Sequence, residues 1–279
     1  MRHNYACPLR WADLDAQGHV NNVVFVDYLQ EARADLSARG PEALAGSVLG
    51  GQRLEYVAPL MFSFEPVQVD VWVSAVSTSS YTLGYEVHGP AADGGRTVHL
   101  RASSTLVGYD FATQRTRALT DEERSFLSAY AEDTEVPAEP FGEPRHDELG
   151  HYAVRVRYSD IDVAGIVNNV KHLEYFQEGR IQVLDRVAKA AGIGGWPPVV
   201  LARQDVQYRR PIRLRPEPYD AWTWLERLGT TSMVLGAEIR DGETVHARGR
   251  FVAVFFDLET NRSASPPDEL REALARMAG

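Results

Sequence analysis

A 24-residue segment that occurs twice constrains this chain more than any other feature of its sequence. Residues 10–33 and 157–180 align at an offset of 147 without a gap, and twelve of the 24 positions are identical. Each copy carries an Asp-x-Asp turn with a glycine, followed by an Asn-Asn pair. Later matches, such as Trp72 with Trp224, carry the likeness toward the end of each half. A repeat this long indicates duplication of a whole domain rather than a short solenoid unit.

The order of patterns within each half predicts its fold. A strand leads into the turn, and a helix that is apolar on most sides begins at the Asn pair, where an asparagine can cap the first N–H groups. Glu31 and Glu178 fall inside this buried pattern. They could line the site, but we expect them to pair with neighbouring arginines or with backbone. Extended segments in hairpin order follow, and in the second half they predict strands at residues 199–208 and 244–257. We therefore predict an α+β fold of two tandem domains, each an antiparallel sheet wrapped around one long helix.

Glycine and proline punctuate this pattern and set the predicted domain bounds. Gly50-Gly51 predicts a loop in the first half. Residues 135–150 carry three prolines and several acids, which is typical of an interdomain linker. We predict a first domain at residues 1–134 and a second at residues 151–279, in keeping with the length of the chain.

The composition argues against several functional classes. The formal net charge of −10 disfavours a general nucleic-acid binder, although a local basic patch could still hold an anionic ligand. The lone cysteine, Cys7, rules out an intrachain disulfide and indicates a reducing compartment. The N-terminal segment lacks the apolar core of a signal peptide, and no run is long enough to cross a bilayer. We therefore expect a cytoplasmic protein without a membrane partner.

The repeated segment resembles that of the hotdog-fold acyl-CoA thioesterases, in the hydroxybenzoyl-CoA thioesterase-like group. The shared features are an Asp-x-Asp-x-x-Gly turn after a strand, Val-Asn-Asn at a helix start, and Tyr-x-x-x-x-Arg on that helix. The resemblance covers both halves and implies a tandem double-hotdog chain, similar to a dimer of single domains fused head to tail. It implies that Asp15 and Asp162 are the catalytic carboxylates. It also implies that the backbone N–H groups at Asn22 and Asn169 polarise the thioester carbonyl.

The neighbouring residues have more than one interpretation. His19 is the third predicted catalytic residue. It resembles the histidine that many long-chain acyl thioesterases carry here, and it would orient the carboxylate or the acyl group. It could equally be an ordinary loop histidine, and Ile166 replaces it in the second copy. Asn21 and Asn168 open the two helices, where backbone N–H groups lack helical partners. We therefore predict that both asparagines of each pair bind substrate.

These residue types suit the chemistry of thioester hydrolysis. A carboxylate is ordinarily ionised at neutral pH, so the second acid of each pair could attack the carbonyl carbon or activate water. N–H groups at a helix N-terminus, aimed at the thioester oxygen, form an oxyanion hole. The alternative is that an aspartate before a helix only caps it or binds turn amides. For the first acid of each pair, Asp13 and Asp160, we predict that structural role.

A basic run in the second half is unmatched in the first. It consists of Arg203, Arg209, Arg210, Arg213 and Arg215. The residues aligned with the last four are all uncharged. Because arginine binds phosphate through a bidentate fork, we predict that Arg209, Arg210 and Arg213 bind the phosphates of CoA. The alternative is a solvated surface.

Together these patterns predict an acyl-CoA thioesterase that needs no metal and no cofactor beyond the CoA of its substrate. An acyl carrier protein thioester is the other candidate substrate, but Gln17 stands where the tandem acyl carrier protein thioesterases have Asn. The alternatives are a hotdog hydratase or dehydratase and a non-catalytic acyl-thioester binding protein. The hydratase motif, Asp-x-Asn-Pro-x-His, differs because His19 follows Asp15 by four residues with no proline between them. Double-hotdog units could also assemble into a homo-oligomer.

Overall fold

The computed structural model describes residues 1–91, 94–134, 139–194, 198–257, 259–260 and 262–278. The chain divides into two compact units, Met1–Ala138 (unit 1) and Glu139–Gly279 (unit 2). Residues 135–138 of the predicted linker lie outside the described part, and the rest of it belongs to unit 2. Glu139, the first residue of unit 2, forms ion pairs with Arg203 at 3.0 Å and with Arg250. These ion pairs tie the segment to the body of unit 2.

Unit 1 is built from antiparallel strands and a long helix. Its elements in chain order are β1 (His3–Cys7), α1 (Val24–Ala38), β2 (Ser47–Tyr56), β3 (Val67–Val76), β4 (Ser80–Pro90), β5 (Arg96–Asp110), β6 (Arg115–Thr116) and α2 (Asp121–Ser128). The strands pair in the order β1-β3-β4-β5-β2, and β6 pairs with the end of β5. All of these pairings are antiparallel.

Unit 2 repeats this arrangement. Its elements are β7 (His151–Val154), α3 (Asn169–Ala190), β8 (Val199–Tyr208), β9 (Tyr219–Leu228), β10 (Ser232–Asp241), β11 (Thr244–Asp257), β12 (Arg262–Ser263) and α4 (Asp268–Ala278). The strand order β7-β9-β10-β11-β8 is that of unit 1, with β12 on β11. The repeat in the sequence is therefore a repeat of the whole supersecondary arrangement.

The long helix of each unit buries one face against its sheet. In α1 the buried residues recur at helical spacing, and Val26, Leu29 and Ala32 are each 0% exposed. α1 contacts β1 and β3, and α3 contacts β7 and β9. Glu31 and Glu178 are exposed. The expectation that they lie within a buried pattern is wrong, because a helix lying on a sheet keeps its opposite face in solvent.

A tryptophan and a glycine from adjacent strands pack together in each unit. Trp72 on β3 pairs with Gly84 on β4, and a Cβ at Gly84 would lie 2.4 Å from the indole ring. Trp224 and Gly236 repeat this contact in unit 2, also at 2.4 Å. Only glycine therefore fits at each position, because the indole ring occupies the space that a Cβ atom would take.

Two element boundaries differ between expectation and structure. α3 begins at Asn169, as predicted, but α1 begins at Val24, two residues after the matching asparagine. Gly50-Gly51 lies inside β2, where the register with β5 shifts between Leu49 and Gly51. The predicted loop there is wrong, since the glycines mark a β-bulge within a continuous strand.

Candidate active site

The turn that carries Asp15 is closed by hydrogen bonds from both its backbone and its side chain. The Asp15 N–H donates to the His19 carbonyl at 2.8 Å, and the Gly18 N–H donates to the Asp15 carbonyl at 3.0 Å. Gly18 has a φ of +78°, which a glycine adopts without strain. The Oδ1 atom of Asp15 accepts from the N–H groups of Gln17 at 2.8 Å and His19 at 3.1 Å. These bonds fix the carboxylate, while its Oδ2 atom has no hydrogen-bond partner among the described residues.

The turn that carries Asp162 repeats this geometry. Its Oδ1 atom accepts from the N–H groups of Ala164 at 2.8 Å and Ile166 at 3.4 Å. Gly165 has a φ of +73°. Within the described ranges, Oδ2 of Asp162 likewise makes no hydrogen bond. The interpretation in which the aspartate only binds turn amides therefore accounts for one oxygen of each carboxylate and leaves the other available.

One backbone amide after the turn in unit 1 is left without an acceptor. The Asn21 N–H donates to the Asp13 carbonyl at 2.9 Å, and the Val23 N–H donates to Oδ1 of Asn21 at 3.0 Å. Between them, the N–H of Asn22 has no acceptor in the part of the chain that the structure describes. This amide lies just before α1, at the positive end of the helix dipole.

Unit 2 leaves the equivalent amide unpaired. The Asn168 N–H donates to the Asp160 carbonyl at 2.9 Å, and the Val170 N–H donates to Oδ1 of Asn168 at 3.0 Å. The Asn169 N–H has no acceptor among the residues described, and its buried side-chain Nδ2 atom also lacks a partner. Asn168 is therefore the N-cap of α3. The N-cap of α1 is Val23, and Asn21 accepts from the N–H of that residue. Substrate binding by Asn21 and Asn168 stays a prediction.

The first acid of each pair joins the turn to the long helix. Asp13 accepts from the Tyr28 hydroxyl through Oδ2 at 2.6 Å and from the Arg10 N–H at 2.8 Å. Asp160 accepts from the Tyr175 hydroxyl at the same distance of 2.6 Å. Burial, together with the carboxylate acceptor, raises the pKa of each tyrosine. These contacts agree with the structural function predicted for Asp13 and Asp160.

His19 contributes to the turn through its backbone. Its N–H donates to Asp15 and its carbonyl accepts from Asp15, as described above. In unit 2, Ile166 makes both bonds without an imidazole. The His19 ring has no hydrogen bond within the described residues, so a catalytic function for its imidazole stays a prediction.

The arginines of the basic run fall into two groups. Arg203 pairs with Asp205 at 3.0 Å, and Arg215 pairs with Asp241 at 2.5 Å. These two are fixed by acids of their own unit and are not available for a ligand. Three arginines are exposed and have no acidic partner in the described chain: Arg209, Arg210 and Arg213.

The basic loop, residues 209–215, lies beside the Asp162 turn. The Ile212 carbonyl accepts from the Val167 N–H at 2.9 Å, and Val167 lies five residues after Asp162. His246 holds the loop from the other side, through a ring nitrogen 2.9 Å from the Pro211 carbonyl. The arginines are thus carried by a braced loop next to a candidate catalytic turn.

An exposed aromatic cluster that the sequence patterns do not predict lies beside the Asp15 turn. It consists of Trp11, Phe62 and Phe64, whose rings meet edge to face with centroids 5.3 and 5.1 Å apart. Trp11 is 74% exposed and Phe64 is 95% exposed. The Leu60 carbonyl accepts from the Val20 N–H at 2.8 Å and joins this loop to the turn. The signal for it in the sequence is that this loop carries aromatic residues where the equivalent basic loop carries arginines.

Other site types find no support in the structure. Among the described residues, no three His, Cys, Asp or Glu side chains are placed to hold a metal ion. Cys7 is buried, and burial raises the pKa of its thiol to about 11, as in a core residue rather than a nucleophile. None of the helices in the described ranges is long and apolar enough to span a membrane.

A comparison of the sequence with models of protein families identifies the family of this chain. The model of the thioesterase-like superfamily matches residues 9–137 and 156–274, one segment in each unit. The chain therefore belongs to the thioesterase-like superfamily, whose fold is the hotdog fold. Membership supports thioester hydrolysis as the general activity. A comparison with curated proteins finds no match.

Solved structures share the fold across nearly the whole chain. A putative oleoyl thioesterase from Lactobacillus plantarum matches with a TM-score of 0.74 and 15% identity, covering 92% of this chain and 97% of that one. The 12:0-ACP thioesterase from Umbellularia californica matches with a TM-score of 0.70 and 16% identity, covering 91% and 93%. An acyl-ACP thioesterase from Bacteroides thetaiotaomicron matches with a TM-score of 0.63 and 16% identity, covering 91% and 97%. At these identities the likeness establishes the fold alone.

Proposed function

We propose that the protein hydrolyses acyl-CoA thioesters to a free acid and CoA, using the carboxylates of Asp15 and Asp162. One observation carries the proposal. Each turn fixes one carboxylate oxygen through backbone amides and leaves the other oxygen without a partner in the described chain. Each turn also leaves one amide, at Asn22 or Asn169, unpaired at a helix start.

The two unpaired groups have complementary functions in thioester cleavage. The carboxylate oxygen either attacks the carbonyl carbon or takes a proton from the water that attacks it. In both cases the carbonyl oxygen becomes negative, and the N–H of Asn22 or Asn169 donates to it. The C–S bond then breaks and the thiolate leaves. Where the carboxylate has activated water, the free acid forms directly, and the thiolate takes up the proton that the carboxylate removed. Where the carboxylate has attacked the carbon itself, water hydrolyses the resulting acyl anhydride, which releases the free acid, restores the carboxylate and supplies the proton for the thiolate. Because the carboxylate is already held by turn amides, it needs little reorganisation during the reaction.

The basic loop supports CoA as the carrier. Arg209, Arg210 and Arg213 extend from a braced loop beside Asp162 with no acid to neutralise them among the described residues. An arginine fork matches the geometry of a phosphate group, and CoA carries phosphates. The acidic surface of an acyl carrier protein is the second candidate, since it would meet the same cations. A substrate panel that contains both carriers distinguishes them.

The test is release of free thiol from a panel of acyl-CoA and acyl carrier protein thioesters. We expect turnover of acyl-CoA by the wild-type protein, and a loss of about 100-fold or more in the Asp15→Asn, Asp162→Asn double variant. Each single variant retains the activity of its other site. Asn keeps the shape and the amide contacts of Asp, so the fold is preserved.

The outcomes separate the proposed mechanism from its alternatives. A double variant with the wild-type rate would exclude the carboxylate mechanism. Binding of acyl-CoA without thiol release would indicate a binding protein. Hydration of an enoyl-CoA without thiol release would indicate the hydratase alternative.

A further inference from the structure

A tyrosine at the end of a strand contacts the residue that carries the unpaired amide of each unit. The Tyr56 hydroxyl donates to the Asn22 carbonyl at 2.7 Å. In unit 2, the Tyr208 hydroxyl donates to the Asn169 carbonyl at 3.3 Å. Tyr56 is the last residue of β2 and Tyr208 is the last residue of β8. The hydrogen bond therefore ties the start of each long helix to the sheet.

This bond restrains the direction in which the Asn22 amide points. The N–H and the carbonyl of Asn22 belong to two peptide planes that meet at its Cα atom. Holding the carbonyl fixes one of these planes and so limits the rotation that would turn the N–H away. Two further contacts fix the tyrosine itself. Tyr56 pairs with Leu100 in β5, and the Phe25 ring packs against it edge to face with centroids 5.8 Å apart.

The two units depend on this bond to different degrees. Asn169 is the first residue of α3, so the helix already orders its backbone. Asn22 lies two residues before α1 begins, where one bond, from the Val24 N–H to the Asn21 carbonyl at 2.9 Å, closes a turn around it. The shorter bond, 2.7 against 3.3 Å, occurs in the unit where the backbone has less support of its own.

We propose that Tyr56 is a positioning residue for the Asp15 site, and that Tyr208 has the same function more weakly at the Asp162 site. This proposal rests on the proposed function, because it assumes that the Asn22 amide donates to the thioester oxygen. In this proposal Tyr56 acts through the Asn22 backbone and not on the substrate itself. It holds the donor at the orientation that the developing oxyanion requires.

The experiment uses Tyr56→Phe in the Asp162→Asn background, where Asp15 is the remaining carboxylate. We expect kcat to fall roughly tenfold while KM stays within about twofold, since a misaimed donor weakens binding of the transition state more than of the substrate. The control is Tyr109→Phe in the same background. Tyr109 follows Gly108, which pairs with Ser47 at the opposite end of β2. Its hydroxyl deletion should leave both constants unchanged.

The possible results separate positioning from a structural function. An unchanged kcat, or an equal loss in the Tyr109→Phe control, would overturn the proposal. A fall in kcat that matches a fall in the folded fraction, measured by thermal unfolding of the same samples, would overturn it too. If the Asp162→Asn parent has no thioesterase activity, the proposed function of Asp15 fails, and the positioning function fails with it.

A second arm tests the difference between the units. Tyr208→Phe in the Asp15→Asn background should lower kcat only twofold to threefold, roughly, because α3 orders its own first residue. A larger loss for Tyr208→Phe than for Tyr56→Phe would contradict the ranking drawn from the two hydrogen-bond lengths.

Discussion

Replacing His172 by Phe should remove a source of acid instability from unit 2. His172 lies on α3 and is 5% exposed. One ring nitrogen, Nδ1, is 3.1 Å from the Asn168 carbonyl, and the ring meets Tyr208 edge to face. Burial, with a smaller contribution from His246, lowers its pKa to about 4. The folded protein therefore keeps this imidazole neutral in a pH range where the unfolded chain protonates it.

The sign and size of the effect follow from this difference in pKa. Above about pH 6.5 both states leave the imidazole neutral, and the group has no effect on the pH dependence of stability. As the pH falls from 6.5 toward 4, the unfolded state binds a proton that the folded state does not, so stability is lost. The loss amounts to about 2 kcal/mol at pH 5 and about 3 kcal/mol near pH 4. Phenylalanine does not titrate, so His172→Phe should remove this loss of stability at low pH.

Phenylalanine suits the site because unit 1 carries Phe25 at the equivalent position. Phe25 is 3% exposed and packs against Tyr56 as His172 packs against Tyr208. The Asn168 carbonyl also accepts from the Lys171 N–H at 3.0 Å, so it keeps a partner when the imidazole is removed. At pH 7.5 the variant should therefore differ from wild type by about 1 kcal/mol or less.

The assay is urea unfolding at a series of pH values from 7.5 to 4.5, followed by tryptophan fluorescence. The unfolding free energy of His172→Phe should fall less steeply than that of wild type below pH 6.5. The reciprocal variant, Phe25→His, should fall more steeply than wild type. Equal pH dependence in wild type and His172→Phe would refute the reasoning, since the buried imidazole would then not be the group responsible.

Two further predictions concern the basic loop and the strand contact in unit 2. Arg209, Arg210 and Arg213 have no acidic partner in the described chain. Replacing all three by Gln should raise KM for acyl-CoA about tenfold and flatten its salt dependence, with no change for an acyl-pantetheine substrate that lacks the nucleotide phosphates. An equal rise for both substrates would contradict phosphate binding. Gly236→Ala should destabilise the protein by about 2 kcal/mol or more, because the new Cβ would lie 2.4 Å from the Trp224 ring. Gly194→Ala, whose Cβ meets nothing within 4 Å, is the control and should stay within about 0.5 kcal/mol of wild type in the same urea assay.

Local patterns in the sequence were enough to predict most strands. The alternating segments of the second half predict β8 and β11 with the observed bounds, Val199–Tyr208 and Thr244–Asp257. The loop predicted at the glycine pair of β2 is wrong because a bulge and a loop use glycine for the same conformational freedom. Only the partner strand reveals which one is present, and the pairing of β2 with β5 is not a local property of the sequence.

The candidate site was predictable in its residues but not in its contacts. The resemblance points to Asp15 and Asp162, and the repeat points to the asparagine pairs. Neither shows that one carboxylate oxygen is engaged and the other is not. Likewise, nothing in the basic run separates Arg215, which pairs with Asp241 across 26 positions of sequence, from Arg213, which has no acidic partner in the described chain. Such pairings depend on tertiary contacts.

The two units keep the same turn geometry and differ in the loops beside it. The hydrogen bonds that hold Asp15 recur around Asp162, although only half of the positions in the repeated segment are identical. The loops joined to these turns by the equivalent bonds, Val20 to Leu60 and Val167 to Ile212, carry aromatic rings in one unit and arginines in the other. A group that performs the chemistry must be held in one geometry, because a small displacement costs a large factor in rate. Groups that select a substrate can change freely once the chain has two copies of the turn. Turns of the same geometry beside loops of different composition are therefore the pattern expected of two sites that catalyse one reaction and contact their substrates differently.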